Sequence, residues 1–160
     1  MRKVTLDYVA GFFDAHGVVG LSIARNSGCV LGFAPMVVLG FQVAMKDAHI
    51  LKAIMDVIQV GGIHVKGGSE GFQLRVNALR DALWLIDLLM PKTLLKNREL
   101  SIAKEIISLK LNSTIPYSRK VTLRILELAL ELNSLHSYNL RARAARPKIL
   151  ALIHSLGNAH

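Results

Sequence analysis

The chain has 160 residues, 52% of them hydrophobic, enough for one domain with a sizeable core. Twenty Lys and Arg against eleven Asp and Glu leave a net charge of +9, which favours a polyanionic partner, nucleic acid first and an anionic membrane second. The single Cys29 excludes an internal disulfide and a thiolate metal cluster, and the longest apolar run, Cys29 to Phe41, is too short to span a bilayer and is interrupted by Gly32 and Pro35.

A first helix is predicted to run up to Gly17. Thr5 suits its N-cap, Asp7 the positive first turn, and Gly17 its stop. Gly11 and Ala15 fall one turn apart on one face, where another backbone can approach closely. Glycine inside a helix costs ~1 kcal/mol relative to alanine, so a packing reason is expected there. Asp14 stands in the last turn, where the helix dipole disfavours an anion by ~0.3–1 kcal/mol. A carboxylate beside the free carbonyls of a helix end could hold a cation.

Val18 to Asn26 alternates as a half-buried strand, with Val19, Leu21 and Ile23 on one face and Ser22, Ala24 and Asn26 on the other. A second strand from about Val30 to Met45 is expected to bend or break near Pro35. Asp47 suits the N-cap of a helix carrying Ile50, Leu51, Ile54, Val57 and Ile58, ended by Gly61 and Gly62. A hairpin follows, with His64 and Lys66 on one arm and Gln73 and Arg75 on the other, each opposite apolar neighbours. Asn77 can cap the next helix, with Leu79, Leu83, Ile86 and Met90 inward and Trp84 expected in core or helix packing.

Thr93 to Leu111 reads as a further helix, and Asn112 to Pro116 as a linker. Ser118 opens another helix, and a last one ends at Gly157 after the basic stretch Arg141, Arg143, Arg146 and Lys148. The expected class is α+β: a helix–strand–strand–helix–strand–strand–helix core over residues 5–111, its antiparallel sheet covered on one face by helices. Residues 112–160 form a basic helical extension of the same domain, and no internal repeat is visible.

Carboxylates are sparse on the strands. None lies between Gly17 and Lys46, and only Glu70 between Gly61 and Asn77. A strand face carrying Ser22, Ala24, Asn26, Gln42, His64, Lys66, Gln73 and Arg75 suits a DNA groove, since Arg and Lys favour guanine and Asn and Gln favour adenine. Arg141, Arg143, Arg146 and Lys148 are expected to grip flanking phosphates.

The stretch Val9-Ala10-Gly11-Phe12-Phe13-Asp14-Ala15-His16-Gly17 resembles the LAGLIDADG motif, the signature of a homing endonuclease family. Leu95-Lys96-Asn97-Arg98-Glu99 resembles the segment where single-motif members carry an active-site lysine. The resemblance implies a curved antiparallel sheet and a homodimer joined through Gly11 and Ala15. It also implies hydrolysis of a long pseudo-palindromic double-stranded DNA site with a divalent metal, magnesium or alternatively manganese, by a protein encoded within an intron. By the same resemblance, His16 and the Ala15 carbonyl stand at the metal positions, Lys96 at the charge-stabilising position, Met45 where a polar residue is usual, and His49 where a basic one is.

His16 replaces the family's metal-binding acid. Imidazole is a poor magnesium ligand, whereas manganese, nickel and zinc accept it. Two functions share this scaffold: an endonuclease, and a catalytically silent nucleic-acid binder such as a splicing maturase, with intron RNA as a partner, or a repressor. A basic structural protein is a third class, disfavoured by the varied polar strand face. With no signal-peptide pattern, the expected location is intracellular, in cytoplasm, nucleoid or organelle matrix, with no membrane partner.

Overall fold

The computed structural model of the protein describes residues 3–25, 27, 31–43, 48–65, 71–136 and 140–158, without the side chains of residues 34, 140 and 141. In chain order the elements are α1 (Leu6–His16), β1 (Gly17–Arg25), β2 (Phe33–Val43), α2 (His49–Ile58), β3 (Gly62–Val65) and β4 (Phe72–Val76). They continue through α3 (Leu79–Leu89), α4 (Asn97–Asn112), α5 (Arg119–Leu135) and α6 (Leu140–Asn158). The sheet order is β1-β2-β4-β3, with β4 antiparallel to both of its neighbours. This is the expected α+β class. Among the described residues no helix is long and apolar enough to cross a membrane.

The chain forms two compact units, Met1–Val19 with Val38–Leu100, and Gly20–Val37 with Ser101–His160. In the first, alternation along the strands makes one sheet face apolar. Leu39, Phe41 and Val43 of β2 and Leu74 and Val76 of β4 are buried. Helix α2 lies against β3, β4 and α1 and contributes Leu51, Ile54 and Ile58, while α3 lies against β4 and contributes Ala82, Leu85, Ile86 and Leu89. Helix α1 buries Val9, Ala10 and Phe13, and the Phe13 ring meets Phe41 edge-on with centroids 5.2 Å apart. Such T-shaped pairs contribute ~0.5–1.5 kcal/mol beyond area burial.

The second unit is built on the α5·α6 pair. Leu126, Ala129, Ile149 and Leu156 form its buried cluster, joined by Leu21 and Ile23 of β1. The Asn133 Nδ2 donates to the Ala142 carbonyl at 2.7 Å, tying α5 to α6. Arg124 donates from two nitrogens to one Glu105 oxygen, at 3.0 and 2.7 Å, tying α5 to α4.

Several expected boundaries move. Strand β2 runs unbroken through Pro35, whose carbonyl accepts a hydrogen bond from the buried Lys110 Nζ. Helix α4 starts at Asn97, because Leu94, Leu95 and Lys96 form a loop (see below). Ala78 rather than Asn77 holds the N-cap of α3. Helix α2 starts at His49 after Ala48, with Asp47 outside the described residues, and ends at Ile58, capped by Gln59 in the left-handed conformation (φ 57°) two residues before Gly61. Trp84 is 45% exposed, not core. The basic stretch belongs to α6 itself, which continues across Pro147 even though proline lacks the N–H that would bond the carbonyl four residues back.

Candidate active site and nucleic-acid interface

Helix α1 is capped by Thr5, whose Oγ1 accepts from the Tyr8 N–H at 3.3 Å. It passes into β1 without a loop. Gly17 there has an ordinary extended backbone (φ −69°), so its glycine is not needed for a left-handed turn. The reason is steric: a Cβ at Gly17 would lie 2.3 Å from the Phe13 carbonyl oxygen and 2.5 Å from its ring. Glycine lets the chain turn from helix to strand directly against Phe13, which puts His16 at the junction.

His16 is exposed, and its ring sits 4.7 Å from that of Phe12. Ala15 beside it is exposed, as is Gly11, where a Cβ would meet nothing within 4 Å. Tyr8, 48% exposed, continues the same side of α1. Among the described residues nothing supplies the packing reason sought for Gly11.

Asp14 departs from its expected role. Its Oδ2 accepts from the Leu94 N–H at 2.8 Å, and its Oδ1 accepts from the Leu95 N–H at 3.1 Å and the Lys96 N–H at 3.3 Å. Three backbone donors just ahead of α4 use this carboxylate, so it is engaged as a cap and is not free to hold a cation. Asn97 closes the same loop, its Nδ2 donating to the Thr93 carbonyl at 2.7 Å while the Thr93 hydroxyl donates to its Oδ1 at 3.2 Å. The lysine of this loop, Lys96, is thus fixed by its own backbone to the turn of α1 that ends in His16.

Among the described residues no three His, Cys, Asp or Glu side chains gather as a metal cluster. One chain offers the His16 imidazole and the Ala15 carbonyl, which lies at the helix end where carbonyls lack intrahelical partners. This nitrogen-plus-oxygen set does not suit magnesium and suits manganese, nickel or zinc better. His49 is exposed at the start of α2, and Met45 lies outside the described residues.

The polar sheet face is assembled in register. Gln42, Gln73 and His64 face one another across β2, β4 and β3, and Gly40, Arg75 and Gly62 form the next row. Arg75 Nε donates to Gln73 Oε1 at 2.7 Å, and Gln73 Nε2 donates to Gln42 Oε1 at 3.4 Å. Gly40 is glycine for close approach, since a Cβ there would lie 2.0 Å from the Leu74 carbonyl oxygen. In the other unit, Ser22 is exposed and Ala24 half-buried on β1, while Arg143, Arg146 and Lys148 are exposed on α6. Asn26, Lys66 and the Arg141 side chain lie outside the described residues. Sequence reasoning missed the part played by Asp14 and Asn97. The available signal was an anion placed against the helix dipole, which needs a partner.

A motif helix running straight into an antiparallel sheet, with a lysine loop tied to its end, defines a LAGLIDADG-type fold. The chain belongs to the LAGLIDADG endonuclease family, whose sequence model matches residues 9–107. No curated protein matches the chain. Among solved structures it is similar to the archaeal intron-encoded homing endonuclease I-Vdi141I complexed with DNA (22% identity, TM-score 0.79, covering 96% of this chain and 97% of that one). It is similar to I-CvuI, solved with the I-CreI target and 2 mM Mg with the DNA not cleaved (19% identity, TM-score 0.78, 97% and 96% covered). It also matches the LAGLIDADG meganuclease I-CpaMI bound to uncleaved DNA, covering 93% of this chain but 50% of that one (22% identity, TM-score 0.72). At these identities the likeness establishes the fold.

Proposed function

We propose that the protein is a site-specific double-stranded DNA endonuclease that acts as a homodimer on a pseudo-palindromic target. The observation that carries this reading is the Asp14 clamp, which ties the loop bearing Lys96 to the motif helix that ends in His16. A cation held there can stabilise the extra negative charge of a pentavalent phosphate. Homodimerisation is supported by the motif helix α1, whose small-residue face, Gly11 and Ala15, is exposed. The complexes of I-Vdi141I and I-CvuI with DNA support a DNA ligand.

A divalent ion, when bound, supplies charge neutralisation at the attacking and leaving oxygens. The residues of this chain that would hold it are His16 and the Ala15 carbonyl. His49 and Met45 flank the site by analogy with the family. Ser22, Ala24, Asn26, Gln42, His64, Lys66, Gln73 and Arg75 read the groove, and Arg141, Arg143, Arg146 and Lys148 hold flanking phosphates. Encoding within an intron fits the same family reading.

The second reading is a silent DNA or intron-RNA binder, favoured by one observation: an imidazole at the position where the family places an acid. Incubating the full-length protein with a selected duplex site, in magnesium and then in manganese, separates the two. Double-strand cleavage in either metal supports the endonuclease; tight binding with no cleavage in both supports the binder.

A further inference from the structure

The three side chains Arg75, Gln73 and Gln42 form one chain of hydrogen bonds whose direction chemistry fixes. Arginine has donors and no acceptor, so the Gln73 atom 2.7 Å from Arg75 Nε is the amide oxygen. Gln73 Nε2 is then turned towards Gln42, and the Gln42 atom that meets it at 3.4 Å is again the oxygen. Residues 73 and 75 share one face of β4, and Gln42 is the direct cross-strand partner of Gln73. Glycines flank Arg75 on both neighbouring strands, so no side chain of those strands competes for it in its row.

We propose that Arg75, Gln73 and Gln42 act as a single donor-presenting reader, orientated by Arg75, that selects guanine along one strand of each half-site. This rests on the DNA-binding reading above. Each amide oxygen is turned along the sheet towards its neighbour and is already bonded. Among the described residues, the groups left for a ligand are the Arg75 Nη donors, the second N–H of Gln73 and the Gln42 amide nitrogen. Free glutamine reads adenine by offering a donor and an acceptor together; here each oxygen is turned along the sheet to a protein donor, which leaves the N–H groups as the edge for a base. Guanine presents two major-groove acceptors, N7 and O6, whereas cytosine presents an N4 donor that a donor edge repels. Residues two apart on a strand are ~6.7 Å apart, about two base-pair steps, so the reader spans two to three adjacent pairs.

The orientation also couples the positions. In Gln73→Glu, the carboxylate still accepts from Arg75 but has no N–H to give Gln42. Gln42 then turns its Nε2 towards Glu and presents its oxygen to the DNA, which favours a base with a major-groove donor.

The test is selection of bound sequences from a duplex library randomised across a pseudo-palindromic core, using the full-length wild type, Gln42→Leu, Gln73→Leu and Gln73→Glu. Gln42→Leu identifies the base pair that Gln42 reads. Wild type is expected to favour guanine over cytosine there by roughly 5- to 100-fold. Gln73→Glu should replace that guanine with cytosine or adenine, and Gln73→Leu should degrade preference at more than one base pair. An unchanged base at the Gln42 position in Gln73→Glu, loss confined to one pair in Gln73→Leu, or cytosine in the wild type overturns the coupled reader and leaves DNA recognition standing. No selected sequence from any variant overturns the DNA-binding reading and the reader with it.

Discussion

Removing the Asp14 carboxylate tests the assembly of the candidate site most directly. Asp14→Ala strips three acceptor contacts, of 2.8, 3.1 and 3.3 Å, from the backbone ahead of α4. Hydrogen bonds to charged groups contribute ~1.5–3 kcal/mol each when buried, but Leu94 and Leu95 are 86% and 76% exposed, so their amides regain water. The loss of a helix cap, ~0.5–2 kcal/mol, is the better guide, and the upper end applies because three donors share one acceptor group. We expect ~2 kcal/mol for Asp14→Ala. About half that is expected for Asp14→Asn, which keeps one carbonyl acceptor but loses the charge. With a urea slope of ~2 kcal/mol/M, the alanine midpoint falls by about 1 M. Freed from its anchor, the loop lets Lys96 shift, and ~1 Å of misplacement can cost about 100-fold in rate. Measured in a His16→Asp background with magnesium, cleavage should therefore fall far more than DNA affinity. A midpoint within about 0.2 M of the parent would refute the clamp. Lost stability with full cleavage would refute its link to Lys96.

In magnesium, His16→Asp should cut faster than wild type by restoring a hard oxygen ligand, and Lys96→Ala in that background should slow cleavage while leaving binding intact; equal rates for wild type and His16→Asp would show that the imidazole works as it stands. Gly11→Leu should leave the single chain at least as stable, since a side chain there enters open space and helix propensity improves by up to ~1 kcal/mol, yet abolish the dimer in sedimentation; an intact dimer would place the interface elsewhere. Gly17→Ala should destabilise the junction, because its Cβ would fall 2.3 Å from the Phe13 carbonyl oxygen, and a thermal melt unchanged from wild type would contradict that. Replacing both Arg146 and Lys148 with Gln should flatten the slope of log affinity against log salt by about 2 per protomer, and an unchanged slope would rule out their phosphate contacts.

Much of this protein was legible along the chain, because periodicity and punctuation are local. The strand alternation through Val37, Leu39, Phe41 and Val43, and the helical spacing of Leu51, Ile54 and Ile58, fixed which faces go inward. The motif in α1 carries the family likeness, and the strands poor in carboxylates suit a nucleic-acid face, both legible in the sequence alone. Other features depended on partners distant in the sequence. Asp14 looks like a misplaced anion until Leu94, Leu95 and Lys96 fold against it, some eighty residues away. Pro35 reads as a strand breaker because it has no N–H to donate, yet β2 runs on through it, and its carbonyl takes a bond from Lys110, seventy-five residues away. The polarity of Gln73 and Gln42 is undetermined in the sequence, since an amide can present either end. Arg75 on the same strand takes the Gln73 oxygen, and the cross-strand register that sets Gln42 opposite Gln73 then decides that the Gln42 oxygen also turns along the sheet. Hydrophobic pattern is written residue by residue, whereas the direction of a hydrogen bond belongs to the pair that makes it.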